Sequence, residues 1–139
     1  MLECLIVGDS IAVGTHQFSK HCAEYAKSGI NSWQWNNLYK NKELVAKTVI
    51  ISLGSNDHKY IKTQQELIQM RQRVDADRVF WILPAGNLKA SEVPIEKIQK
   101  IVQEISDYYG DTVLPITSLQ ADGIHPSWAG YKDIANKIK

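Results

Sequence analysis

Two short blocks near opposite ends of the chain carry the residue types of nucleophilic acyl chemistry: Gly8-Asp9-Ser10-Ile11 and Asp122-Gly123-Ile124-His125-Pro126. A serine hydroxyl is a weak nucleophile until a base takes its proton, and neutral imidazole is such a base. Asp122 stands three positions before His125. It can therefore fold back to accept the Nδ1 proton, which fixes the tautomer whose Nε2 is basic. Pro126 restricts His125 to extended backbone and stiffens the entrance to the last helix. A tight turn at Gly8-Asp9-Ser10 leaves the hydroxyl at a helix start, where unpaired N–H groups and a partial positive charge favour a developing anion.

Two further blocks could supply donors to that anion. In Ser28-Gly29-Ile30-Asn31 a glycine permits close backbone approach, and in Gly54-Ser55-Asn56-Asp57 the Asn56 amide can donate a hydrogen bond. Each block taken alone has a plainer reading. Serine caps helices, glycine and asparagine make turns, and an Asp-x-x-His pair can be an Asx turn with an exposed histidine. Asp9 and Asp57 read as carboxylates that fix their loops by accepting backbone N–H groups.

The elements between these blocks decide whether they meet. Short apolar, β-branched runs at Leu2–Val7, Ala23–Ala26, Thr48–Leu53, Arg78–Leu83 and Thr112–Leu114 predict five strands, separated by amphipathic stretches. Thr63 with Glu66 predicts a capping box, with Leu67, Met70 and Val74 after it at helical spacing. Pro94 opens a helix whose stripe is Ile95, Ile98, Ile101, Val102 and Ile105, ended by Gly110. Trp128–Lys139 predicts the last helix. Strands alternating with helices imply an α/β fold: a three-layer α/β/α sandwich, flavodoxin-like, with a five-stranded parallel sheet in the order 2-1-3-4-5. Residues 1–139 are expected to form a single domain, the usual outcome at this length. All four blocks then fall at the carboxyl ends of strands, on one rim. The fifth strand lies about 14 Å from the first at about 4.7 Å per spacing, a gap that the stretch Ile116–His125 can cross.

With the blocks placed, the sequence resembles the SGNH, or GDSL-like, hydrolases, named for a serine, a glycine, an asparagine and a histidine in four separated blocks. Gly8, Asp9 and Ser10 match the first, with Ile11 in place of the usual leucine. Gly29 maps to the second, Gly54, Asn56 and Asp57 to the third, and Asp122 and His125 to the fourth. The resemblance implies a serine esterase working through an acyl-enzyme, with Ser10 as nucleophile, His125 as base and Asp122 orienting it. It further implies an oxyanion hole from Ser10, Gly29 and Asn56, and neither metal nor organic cofactor. The chain is short for this family, which implies a shallow, open pocket suited to a small acyl group on a larger alcohol, such as an O-acetylated carbohydrate. Activity should rise with pH as His125 loses its proton. A non-catalytic sugar- or protein-binding module on the same scaffold is the competing reading.

Bulk properties narrow the rest. The 139 residues are 44% hydrophobic and 22% charged, with 16 basic and 15 acidic residues giving a net charge of +1. No basic run offers a footprint for nucleic acid. A nucleotide-binding domain is disfavoured because neither Gly-x-Gly-x-x-Gly nor a Gly-Lys-Ser/Thr phosphate loop occurs. No apolar segment approaches the roughly 20 residues of a membrane span, and the N-terminus lacks the pattern of a signal peptide, so the expectation is a soluble, cytoplasmic protein. Two cysteines, Cys4 and Cys22, are too few for a disulfide framework or thiolate metal site, and both are expected to be reduced. His16 and His21, five apart, do not share a helical face, so no metal site is expected. Trp33, His58 and Trp128 are candidate substrate contacts, although aromatics at such positions more often pack as half-buried helix residues.

Overall fold

The computed structural model describes residues 1–86 and 92–139. Its elements are β1 (Leu2–Gly8), α1 (Ser10–Gln17), β2 (Ala23–Ala26), α2 (Ser32–Leu38), β3 (Leu44–Ser52), α3 (Thr63–Gln72), β4 (Val74–Ile82), α4 (Ile95–Tyr109), β5 (Thr112–Leu114) and α5 (Trp128–Lys137). The strands form one all-parallel sheet in the order β2-β1-β3-β4-β5, as the sequence pattern predicts.

Alternation along the central strands divides the core into two layers. Leu5 and Val7, Val49 and Ile51, and Val79 and Trp81 face one side, where Trp35 of α2, Leu67 and Met70 of α3 and the Ile98, Val102 and Ile105 stripe of α4 cover them. Ile6, Ile50, Phe80 and Ile82 face the other, under Ile11 and Ala12 of α1, Tyr131 and Ile134 of α5 and Ile138, its C-cap. The central parts of β1, β3 and β4 are therefore dry on both faces, which is why they read as continuous apolar runs.

Three local expectations are corrected. First, β3 and β4 each begin four residues earlier than the apolar runs suggest, and Val74 opens β4 instead of continuing the helical stripe. Their leading residues, Leu44 to Lys47 and Val74 to Asp77, alternate buried or half-buried with more exposed positions, so hydrophobicity alone starts too late. Second, the capping box is not at Thr63 and Glu66. Lys62, with no acceptor on its side chain, is the N-cap of α3 and makes no side-chain cap bond; the Thr63 hydroxyl is turned to Asp57 and Glu66 accepts from the Asn36 amide. A capping box does form at the start of α2, where Asn31 accepts from Gln34 N–H and the Gln34 side chain accepts from Asn31 N–H. Third, Cys4 and Cys22 are joined in a disulfide. The β1–β2 register pairs Leu5 with Ala23, so the preceding residues stand side by side with Cα atoms 4.7 Å apart. A count of cysteines cannot see a partner brought across by strand pairing. No helix among the described residues is long and apolar enough to cross a membrane.

Candidate active site

β1 ends at Gly8, whose φ of +140° lies outside what side-chain-bearing residues tolerate, and a Cβ there would run into the Ser52 carbonyl at 1.8 Å. This contact lets the chain turn directly over the end of β3. Asp9 N–H donates to Ser52 O (2.9 Å), while Asp9 Oδ1 accepts from Ile11 N–H (3.0 Å) as N-cap of α1 and from Ser52 Oγ (3.1 Å). The cap is thus Asp9 and not Ser10. Ser10 becomes the first helical residue, its hydroxyl free to face elsewhere.

It faces His125. Ser10 Oγ lies 2.8 Å from His125 Nε2, and His125 Nδ1 lies 2.7 Å from Asp122 Oδ2. Because Nδ1 faces a carboxylate, it carries the proton, leaving Nε2 of the neutral ring to accept from the serine hydroxyl. The other Asp122 oxygen accepts from the N–H groups of Ile124 (2.9 Å) and His125 (3.0 Å). Those bonds, the Ile124 N–H foremost and then the imidazole, hold the Asp122 carboxyl down at about 2. The loop itself is clamped at its ends: Gln120 N–H donates to His125 O and Ser127 N–H to Ser118 O. Gly86 presses against it, since a Cβ there would sit 2.1 Å from Gly123 O.

The two donor blocks are joined to this site through the backbone. The turn Lys27 to Ile30, which contains Gly29, is anchored to β1 by Lys27 N–H donating to Gly8 O (3.0 Å) and to the third block by Asn56 Nδ2 donating to Ile30 O (3.0 Å). That bond uses one of the two N–H groups of the Asn56 amide and leaves the second available. Asp57 is fully buried and accepts from Ser32 N–H (2.8 Å), Ser32 Oγ (2.6 Å) and Thr63 Oγ1 (2.7 Å). It therefore ties the Asn56 loop to the starts of α2 and α3, one backbone donor and two hydroxyls replacing the all-backbone pattern expected. Burial pushes both loop carboxyls up, Asp9 to about 7 and Asp57 in the same direction against its hydrogen bonds.

No protein-family model matches the sequence, and no curated protein is significantly similar to it. Solved structures do match. A GDSL-like lipase of Bacteroides thetaiotaomicron superimposes with a TM-score of 0.73 at 17% identity over 99% of this chain and 85% of its own. A member of the lipolytic G-D-S-L family from Veillonella parvula gives 0.70 at 13% identity over 99% and 96%. The catalytic domain of Streptococcus pneumoniae peptidoglycan O-acetyltransferase A, bearing a methylsulfonyl adduct, gives 0.69 at 16% identity over 98% and 89%. The chain has the SGNH-hydrolase fold.

Within that SGNH frame the candidate substrate contacts separate. Trp33, with over half of its surface exposed, and His58 line one cleft of about 500 Å³ together with Asn31, Gln34 and Tyr60. His58 also borders the larger cleft, about 900 Å³, between α3 and α4. Trp128 is exposed, its ring meeting Phe18 edge-on at 6.0 Å and lying under Lys132. Phe18 is eight residues along from Ser10, about 12 Å at 1.5 Å per residue. None of the main clefts among the described residues is lined by Ser10 or His125. Sequence reasoning missed Ser52, the last residue of β3, and Gly86, four residues after β4. Their place at or after the carboxyl ends of strands was the available signal.

Proposed function

We propose that this chain is a serine ester hydrolase of the SGNH family. The observation that carries the proposal is the continuous relay Ser10 Oγ, His125 Nε2, His125 Nδ1, Asp122 Oδ2, with links of 2.8 and 2.7 Å between residues 115 positions apart. In this reading Ser10 attacks the ester carbonyl as His125 takes its proton, and His125 then returns it to the leaving alkoxide. The acyl-enzyme is hydrolysed by a water activated by the same imidazole. Asp122 stays ionised throughout. The N–H groups of Ser10 and Gly29 and the second N–H of Asn56 would receive the oxyanion.

Ser10, half-buried and lining none of the main clefts among the described residues, favours a small acyl group. The cleft holding Trp33, His58 and Tyr60 beside amides of Asn31 and Gln34 suits a polyhydroxylated leaving group, so an O-acetylated carbohydrate is the substrate class we propose. The test is turnover of a chromogenic acetyl ester alongside a panel of acetylated glycans. Turnover lost in Ser10→Ala, with the unfolding midpoint unchanged, supports the reading. Persistent turnover in folded Ser10→Ala would overturn it.

A further inference from the structure

Cys4 lies four residues before Gly8, the carboxyl end of β1, about 13 Å at roughly 3.3 Å per residue, and Cys22 stands beside it, so neither cysteine is on the Ser10 rim. The exposed His21 stands beside them. Its Nε2 is 3.8 Å from Cys22 Sγ, and the two sulfurs and a His21 ring nitrogen all fall within 4.8 Å of one another. The neighbouring His16 is already engaged, with Nδ1 2.8 Å from a Glu24 carboxylate oxygen and Nε2 2.9 Å from Cys22 O. His21 is thus the imidazole left to join the two sulfurs.

We propose that reduction of the Cys4–Cys22 disulfide creates a site for a thiophilic divalent cation of the zinc class. Its ligands are the Cys4 and Cys22 thiolates and His21, with a fourth position open to solvent. Tetrahedral zinc, with bonds of about 2.3 Å to sulfur and about 2.0–2.1 Å to nitrogen, holds its ligand atoms about 3.6–3.8 Å apart. The His21–Cys22 pair already has that spacing. The two sulfurs must separate, and Cys4 Sγ must settle at the same spacing from the His21 nitrogen, now within 4.8 Å; rotation about side-chain bonds can supply both while the β1–β2 register stays as it is. Both cysteines are buried, so the exposed imidazole marks the side from which a cation enters.

The chemistry balances with an external dithiol or phosphine as reductant. With a dithiol, the protein S–S bond breaks, two protein thiols form and the reductant is left as a disulfide; with a phosphine, water supplies the two thiol protons and the oxygen of the phosphine oxide that is left. Cation binding then releases two protons as both thiols ionise. Soft thiolates favour zinc over hard cations such as magnesium, and an oxidising or reducing compartment selects the covalent or the metal-bound form. In either form the four-residue edge strand β2 remains pinned to β1. This site is independent of the proposed esterase activity.

The full-length protein, reduced with a phosphine under nitrogen, is titrated with Co²⁺ and then with Zn²⁺. The expected result is one equivalent of cobalt bound, with sulfur-to-cobalt charge-transfer absorption that zinc abolishes, and no such absorption in the unreduced protein. Cys22→Ser should lose it. His21→Ala, which alters only an exposed side chain, should keep the fold and weaken cobalt binding by at least roughly tenfold. Absence of the absorption in reduced wild type, or unchanged affinity in His21→Ala, would overturn the proposal.

Discussion

Two carboxylates stand next to the Ser10–His125 pair, and their surroundings drive them in opposite directions. Asp122 sits on an exposed loop, two-fifths of its side-chain surface open to water, yet two backbone N–H groups and an imidazole hold it at about 2. Asp9 is wholly buried, with Oδ2 lacking any partner, and is driven to about 7 despite its bonds to Ile11 and Ser52. Desolvation wins where the carboxyl is buried, even at Asp57 with donors on both oxygens, and donors win where water is near. The same residue type can thus serve as a permanent negative charge behind a base and as a cap that is neutral through part of the ordinary pH range.

The largest expected effect separates these roles. Asp122→Asn should lower kcat for an acetyl ester on the order of 10⁴-fold, through loss of the productive tautomer, while leaving the unfolding midpoint nearly unchanged. Steady-state kinetics and thermal unfolding on one preparation check this, and a large fall in stability with little loss of kcat would reverse the assignment.

Next comes the pH dependence of stability. The unfolded chain releases the Asp9 proton at the ordinary 3.8 and the folded chain at about 7, so between these values the folded state holds more protons. Stability should therefore fall as pH rises from about 4 to about 7, by up to roughly 4 kcal/mol, and level off above. Asp57 pushes in the same sense. Asp9→Asn should remove most of this slope in urea unfolding measured across that range; an equally steep slope in the variant would show that Asp9 is not its source.

Smaller effects are expected in the loops that the buried carboxylates fix. Asn56→Ala should cost roughly 10²- to 10³-fold in kcat with modest change in KM, as loss of one oxyanion donor does. A change confined to KM would place Asn56 in substrate binding instead. Thr63→Ala removes one of three donors to Asp57 and should cost about 1–2 kcal/mol in unfolding free energy, with turnover altered by no more than a few fold.

Much of this arrangement was legible in the chain because several independent signals agree. The buried centres of β1, β3 and β4 are apolar on both faces, and three of the four blocks fall just beyond strands, so order and rim emerged together. Features made by pairing distant segments were not legible. Residues 4 and 22 become neighbours only through the β1–β2 register, and Ser52 meets Asp9 only once β1 and β3 lie side by side. The Thr63 hydroxyl faced a choice between capping its own helix and satisfying a buried carboxylate, and the greater cost of leaving Asp57 unpaired decided it. A local pattern such as Thr-x-x-Glu carries no information about that competitor.

The relay among residues 10, 122 and 125 is tested most directly by labelling with a serine-directed fluorophosphonate and locating the adduct by peptide mass spectrometry, in wild type and in folded His125→Ala. The account predicts a single adduct on Ser10 in the wild type and little or none in the variant. An unmodified Ser10 in the folded wild type, or equal labelling of the two proteins, would contradict it.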